Sequence, residues 1–186
     1  MVRMADDSRR THPMKNLPNL PEEAADLCAT LGAPVALENH LRLVHAAAVM
    51  LVEGLAGRFP GMELDAGEVL LGAAIHDLGK VAHPEELFQP GTLHEESGPA
   101  LLISLGLEPR FARFARTHGN WRDKSNSLED LLVALADMTW KGERNGELED
   151  LVCKKISQSH HLDAWKAWSD LDAILTGIAE RISTVA

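Results

Sequence analysis

The sequence predicts an all-α chain folded as a single irregular helical bundle. Helix start and stop signals recur along its whole length, with apolar residues at helical spacing between them. No strand-type alternation, repeat or low-complexity tract interrupts them. With 186 residues, 45% of them hydrophobic, the chain can bury one sizeable core, and a second full domain is not expected.

Residues 1–20 are polar and without period and read as a flexible tail, leaving 21–186 as the helical domain. A first helix runs from Pro21 to Leu31 and stops at Gly32. A long second helix runs from Pro34 to about Ala56 and breaks in Gly57-Arg58-Phe59-Pro60-Gly61. The third opens at Asp65 with Glu68 three residues on, close to a capping box, and leads through Val69, Leu70, Ala73, Ala74 and Ile75 into His76-Asp77. His83-Pro84 starts a short helix in which His83 caps or orients rather than ligates. Thr92 with Glu95 opens the next helix, which Pro99 must kink or divide before Gly106. Pro109 opens Arg110–His118, Ser127 with Asp130 caps Leu128 to about Trp140, and two more helices cover Glu147–His160 and Asp163–Ser183.

Charge and composition narrow the function. Eighteen basic against 28 acidic residues leave a formal charge of −10, which repels nucleic-acid backbones and makes duplex nucleic acid a poor partner. A small anionic substrate then needs a local cation, a bound metal or placed basic residues. Cys28 and Cys153 form neither a disulfide framework nor a CxxC motif and read as core thiols in a reducing, cytoplasmic setting. No apolar run follows the first residues, so neither a signal peptide nor a membrane span is expected. No GxxxxGK or GxGxxG loop supports a P-loop or dinucleotide fold. Self-association as a homo-oligomer stays open.

The most informative string is Gly72-Ala73-Ala74-Ile75-His76-Asp77-Leu78-Gly79-Lys80. An apolar helix ending in adjacent imidazole and carboxylate sets a borderline nitrogen donor beside a hard oxygen donor, a pair suited to Fe, Mn, Zn or Mg. A second inward-capable carboxylate, Asp137, ends the apolar run Leu132–Ala136. Upstream, both His40 and His45 lie on the second helix. At about 100° per residue, His40 falls within about 20° of Leu51 on the apolar side, whereas His45 sits beside Val52 at the polar margin. The wheel favours His40, with His45 as the alternative. Arg116, Lys141 and Arg144 are basic residues near the ligand-bearing segments and candidate phosphate contacts.

The Gly72–Lys80 string resembles the signature of the HD-domain superfamily of metal-dependent phosphohydrolases, and the resemblance spans roughly residues 36–142. It implies a helical bundle of the HD-domain type holding a divalent metal through His40, His76, Asp77 and Asp137; His40-Leu41-Arg42-Leu43-Val44 and Ala136-Asp137 resemble the family's first-helix and downstream segments. His94-Glu95-Glu96-Ser97-Gly98-Pro99-Ala100-Leu101-Leu102 and Arg116-Thr117-His118-Gly119 resemble segments of its binuclear members, which adds His94 and His118 as ligands to a second ion, with Asp77 bridging. Lys80 resembles the residue that contacts substrate phosphate. The implied activity is hydrolysis of a phosphate ester of a nucleotide or related small molecule by metal-activated water, with one or two ions of Fe, Mn, Mg, Co or Zn, and with Asp77 and Lys80 as catalytic residues. A regulatory or ligand-sensing module with little turnover is the rival. The chain lacks the Gly-Tyr-Pro segment of the cyclic-dinucleotide branch, and Asn120-Trp121 stands where that branch has Glu after the histidine.

Overall fold

A computed structural model describes residues 17–160 and 163–182, and every element among them is helical. In chain order these are α1 (Glu22–Leu31), α2 (Val35–Arg58), α3 (Ala66–Ile75), two 3-10 turns (Leu78–Val81 and Pro84–Leu87), α4 (Leu93–Ser104), α5 (Pro109–Ala112), α6 (Phe114–Thr117), α7 (Leu128–Thr139), α8 (Gly146–His160) and α9 (Ala164–Ile182). The all-α bundle is as expected.

Local chemistry sets most boundaries. Gly32 takes the left-handed conformation (φ 62°) that closes α1, with Ala33 N–H on the Cys28 carbonyl at 2.9 Å. Asp65 accepts the Glu68 N–H, and Ser127 with Asp130 completes a reciprocal capping box on α7. At Thr92 the expected side-chain cap is not made. Helix α4 runs continuously through Pro99, which forgoes one helical hydrogen bond without dividing it. The single helix expected over Arg110–His118 is instead two short turns, α5 and α6, joined at Arg113. Arg113 keeps helical dihedrals while its guanidinium reaches Glu68 and Asp130 at 2.7 and 3.0 Å.

Most of the expected tail, residues 1–16, lies outside the described residues, as do 183–186 at the end of the last expected helix. Leu17 is not loose: it is buried, and Arg42 donates to its carbonyl at 2.9 Å.

Two hydrophobic clusters fill the bundle. The larger joins α2, α7, α8 and α9 through residues such as Leu51, Leu132, Val152 and Leu175; the smaller joins α1, α4 and the ends of α2 and α3 through Leu37, Leu41, Ile75 and Leu102. Helix α2 belongs to both, and its faces are covered by α3, α7 and α9. By length and hydropathy it would also suit a membrane crossing, but its apolar residues are spent on this core. Both cysteines are buried, and burial pushes the Cys28 thiol up to about 12 and the Cys153 thiol up to about 11, so neither is a ready nucleophile.

Candidate metal centre

Six residues predicted as ligands converge where the two clusters meet. His40 comes from the second turn of α2, His76 caps the C-terminus of α3, and Asp77 follows in the sparsely populated bridge conformation (φ −100°, ψ 4°). His94 is the second residue of α4, His118 follows α6, and Asp137 lies near the end of α7. Asp77 is the hub. Its Oδ2 lies 2.9 Å from His40 Nε2 and 3.6 Å from His76 Nε2, while its Oδ1 lies 3.1 Å from His94 Nε2 and 3.5 Å from His118 Nε2. Asp137 Oδ1 joins the first pair, 3.5 Å from His40 and 3.7 Å from His76.

Close approach depends on glycine at two points. A Cβ on Gly79 would strike the His94 carbonyl oxygen, and one on Gly98 would stand 2.9 Å from the Ala115 methyl. The Leu78–Val81 turn therefore packs backbone to backbone on α4, and α4 closes onto the Ala115 methyl of α6, which brings His94 and His118 up to Asp77. This gives the glycines in His-Asp-Leu-Gly and His-x-x-x-Gly a physical reason.

Three of the four imidazoles are oriented by what their other nitrogen touches. His76 Nδ1 donates to the Ala73 carbonyl (3.0 Å), in the last turn of α3, and His118 Nδ1 to the Phe114 carbonyl (2.9 Å), which also accepts the His118 backbone N–H at 3.3 Å. His94 Nδ1 donates to Glu86 Oε2 at 2.6 Å. These acceptors assign the tautomer, so the Nε2 atoms carry lone pairs into the cluster. Lone pairs then face carboxylate oxygens. Asp77 Oδ1 and His94 Nε2 are buried with no hydrogen-bond partner, a costly arrangement that a cation between them would relieve. Nitrogen and carboxylate donors are the set a divalent first-row ion or Mg takes, so the residues fit the metal they were expected to hold.

Electrostatics agree with that fit. Burial opposes charge on Asp77, yet His76, His118, His40 and His94 around it hold its carboxyl well below the usual range; Asp137 is likewise held low against burial by His76, His40 and Lys141. Burial works against a charged His94, and Asp77 with Glu86 outweighs it and raises its pKa.

The basic residues divide. Lys80 Nζ sits 2.5 Å from Asp77 Oδ2, and Lys141 Nζ lies 3.5 Å from Asp137 Oδ2, so both border the cluster. Arg116 is exposed and donates to the Glu96 carbonyl at 3.4 Å. Arg144 is held by Glu149 and Asp172, each at 2.7 Å, so its guanidinium serves to tie α7's exit to α8 and α9. His45 is also apart from the cluster: it is buried with Nδ1 on the Leu70 carbonyl at 3.1 Å. His83 contacts Ser97 Oγ at 2.9 Å, an orienting role.

Three residues were missed as parts of the site. Glu86 accepts from His94 Nδ1 and from the first N–H groups of α4, Leu93 at 2.9 Å and His94 at 3.1 Å, in place of Thr92. Trp140 donates its indole N–H to Asp137 Oδ1 at 3.3 Å and meets the His40 ring edge-on. Glu95 groups with His94 and His118. The only sequence trace of Glu86 was its place after His83-Pro84, because a 3-10 turn has no amphipathic period to show which carboxylate points inward.

Among curated proteins and among solved structures, no match was found. The family model of the HD domain matches residues 37–139, more than half of the chain, from the turn before His40 to just past Asp137. That span takes in every histidine and aspartate gathered around Asp77, and the chain belongs to the HD domain family.

Proposed function

We propose that the protein is a metal-dependent phosphohydrolase that cleaves a phosphate ester of a nucleotide or related small molecule. The observation that carries the reading is the division of Asp77, one carboxylate oxygen turned to His40 and His76 and the other to His94 and His118. Such a carboxylate suits a bridge between two ions, with His40, His76 and Asp137 on one side and His94 and His118 on the other. Ions of Fe, Mn, Mg, Co or Zn held there would supply Lewis acidity toward phosphoryl oxygen and a more acidic water as nucleophile.

The chain's own groups do the rest. Asp77 and the histidines orient the ions, and the carbonyls of Ala73 and Phe114 with Glu86 keep the imidazoles turned inward. Lys80, beside Asp77, contacts the substrate phosphate and offsets its charge. Lys141 and the more exposed Arg116 add positive potential at the rim. The net charge of −10 supports a small phosphorylated substrate rather than nucleic acid, since only these local cations favour an anion. A nucleotide comes first within that class, because Trp140, half-buried beside His40 and Lys141, offers an aromatic surface next to a cation. We place the protein in the cytoplasm, without a membrane partner, on the two free thiols.

The test is a panel of nucleoside monophosphates, dinucleoside polyphosphates and cyclic nucleotides, given to metal-stripped protein reloaded with each ion. Release of phosphate or nucleotide product with at least one ion, abolished by Asp77→Ala, is expected. Metal bound through these residues with no turnover on any member would replace the enzyme by a regulatory or sensing module.

A further inference from the structure

The carboxylate of Glu95 is left over by the roles its sequence position suggests. As the third residue after Thr92 it would reach back to cap α4, yet that cap is made by Glu86, and the Thr92 side chain makes none. Among the described residues no donor is bonded to the Glu95 carboxylate. It lies instead over Gly119, so closely that a Cβ at that position would strike both of its oxygens. Gly119 is not among the glycines with left-handed backbone, so its backbone does not call for glycine; what its missing Cβ provides is room for Glu95. The same carboxylate groups with one ring nitrogen each of His94 and His118, all within 4.8 Å of one another, in a cluster that holds the buried and unpartnered Asp77 Oδ1 and His94 Nε2.

We propose that Glu95 is a ligand of the second ion, admitted to the site by Gly119. The inference rests on the two-ion reading of Asp77. It makes the halves of the site chemically alike: two imidazoles and one carboxylate of their own, His40, His76 and Asp137 against His94, His118 and Glu95, with Asp77 shared. Without Glu95 the second half has only a share of Asp77 to balance a divalent charge. With it, both ions meet comparable negative charge, and both are held by hard and borderline donors of the same kind.

Gly119→Ala offers a test that leaves Glu95 in the chain. The added methyl meets only the far end of a flexible side chain, so the fold accommodates it by moving the carboxylate away. Manganese alone is titrated by calorimetry into the metal-stripped full chain, its Glu95→Gln and Gly119→Ala variants, and the double variant, with circular dichroism as the check on folding. The wild type is expected to bind two equivalents. Each single variant keeps the first at wild-type affinity and binds the second more weakly by at least the roughly 10- to 100-fold that follows loss of a ligand's supporting partner. The double variant is expected to be no worse than Glu95→Gln, since both changes remove one interaction. Two equivalents bound at wild-type affinity by both single variants would overturn the role of Glu95 and leave the two-ion reading standing. A wild type that saturates at one equivalent would overturn both.

Discussion

The two sides of Asp77 are built by different means. On one side His40 projects from the second turn of the long helix α2, His76 ends α3, and Asp137 rides on the last turn of α7, so two of the three candidate ligands lie inside helices. On the other side His94 stands in the first turn of α4 and His118 follows a four-residue helix, so both sit at element ends. The contrast extends to how the rings are turned. At a helix C-terminus carbonyls with room for a further donor are at hand, and His76 and His118 use Ala73 and Phe114. At a helix N-terminus only spare N–H groups exist, so His94 needs an acceptor from elsewhere. Glu86 meets both needs at once, taking the His94 ring proton and the first N–H groups of α4. Although buried, it is held down at about 2 by those donors, and so it stays charged.

The comparison can be broken most severely at its hinge. Asp77→Ala removes the shared carboxylate, and metal content is expected to fall close to zero with helicity retained; full occupancy in this variant would refute the site. The double change His94→Ala with His118→Ala is expected to leave one ion on His40, His76 and Asp137 and to reduce hydrolysis on the order of 100-fold or more. A double variant with normal turnover would refute the two-ion reading. Glu86→Gln sharpens the contrast between helix ends. It is expected to weaken only the second ion, by roughly 10- to 100-fold, with the first unchanged in the same titration. An equal loss of both ions would mean that Glu86 supports the fold rather than His94.

The smallest effect concerns the histidine left out of the site. Burial lowers the His45 pKa, opposed by its bond to the Leu70 carbonyl. The unfolded chain, with a histidine near 6.5, therefore takes up this proton first as pH falls, so the stability is present above about pH 6.5 and declines below it. His45→Gln is expected to flatten urea-derived stability between about pH 6.5 and 5, by at most about 1.4 kcal/mol per pH unit. Parallel curves for the variant and the wild type would remove His45 as a contributor.

Particular residues show what could be read before folding. The caps at Asp65 and Ser127, the stop at Gly32 and the His76-Asp77 helix end are local features, decided within a few residues of chain. The wheel argument could separate His40 from His45 because α2 is long enough for its apolar face to be defined. The division into α5 and α6 was not legible, since it accompanies the pull of Glu68 and Asp130 on Arg113 from distant elements. Arg144 looked like a rim cation and is instead spent on Glu149 and Asp172, the latter 28 positions away. Helix identity, order and most of the candidate ligands follow from the sequence by itself, because hydrogen bonding and side-chain period within a helix are short-range. Which oxygen of Asp77 faces which histidines, and that Glu86 and Glu95 turn inward, was decided only by tertiary structure. Those relations depend on close approaches at Gly79, Gly98 and Gly119, to the His94 carbonyl, the Ala115 methyl and the Glu95 carboxylate, where the absence of a side chain sets the distance and carries no period that a linear reading could detect.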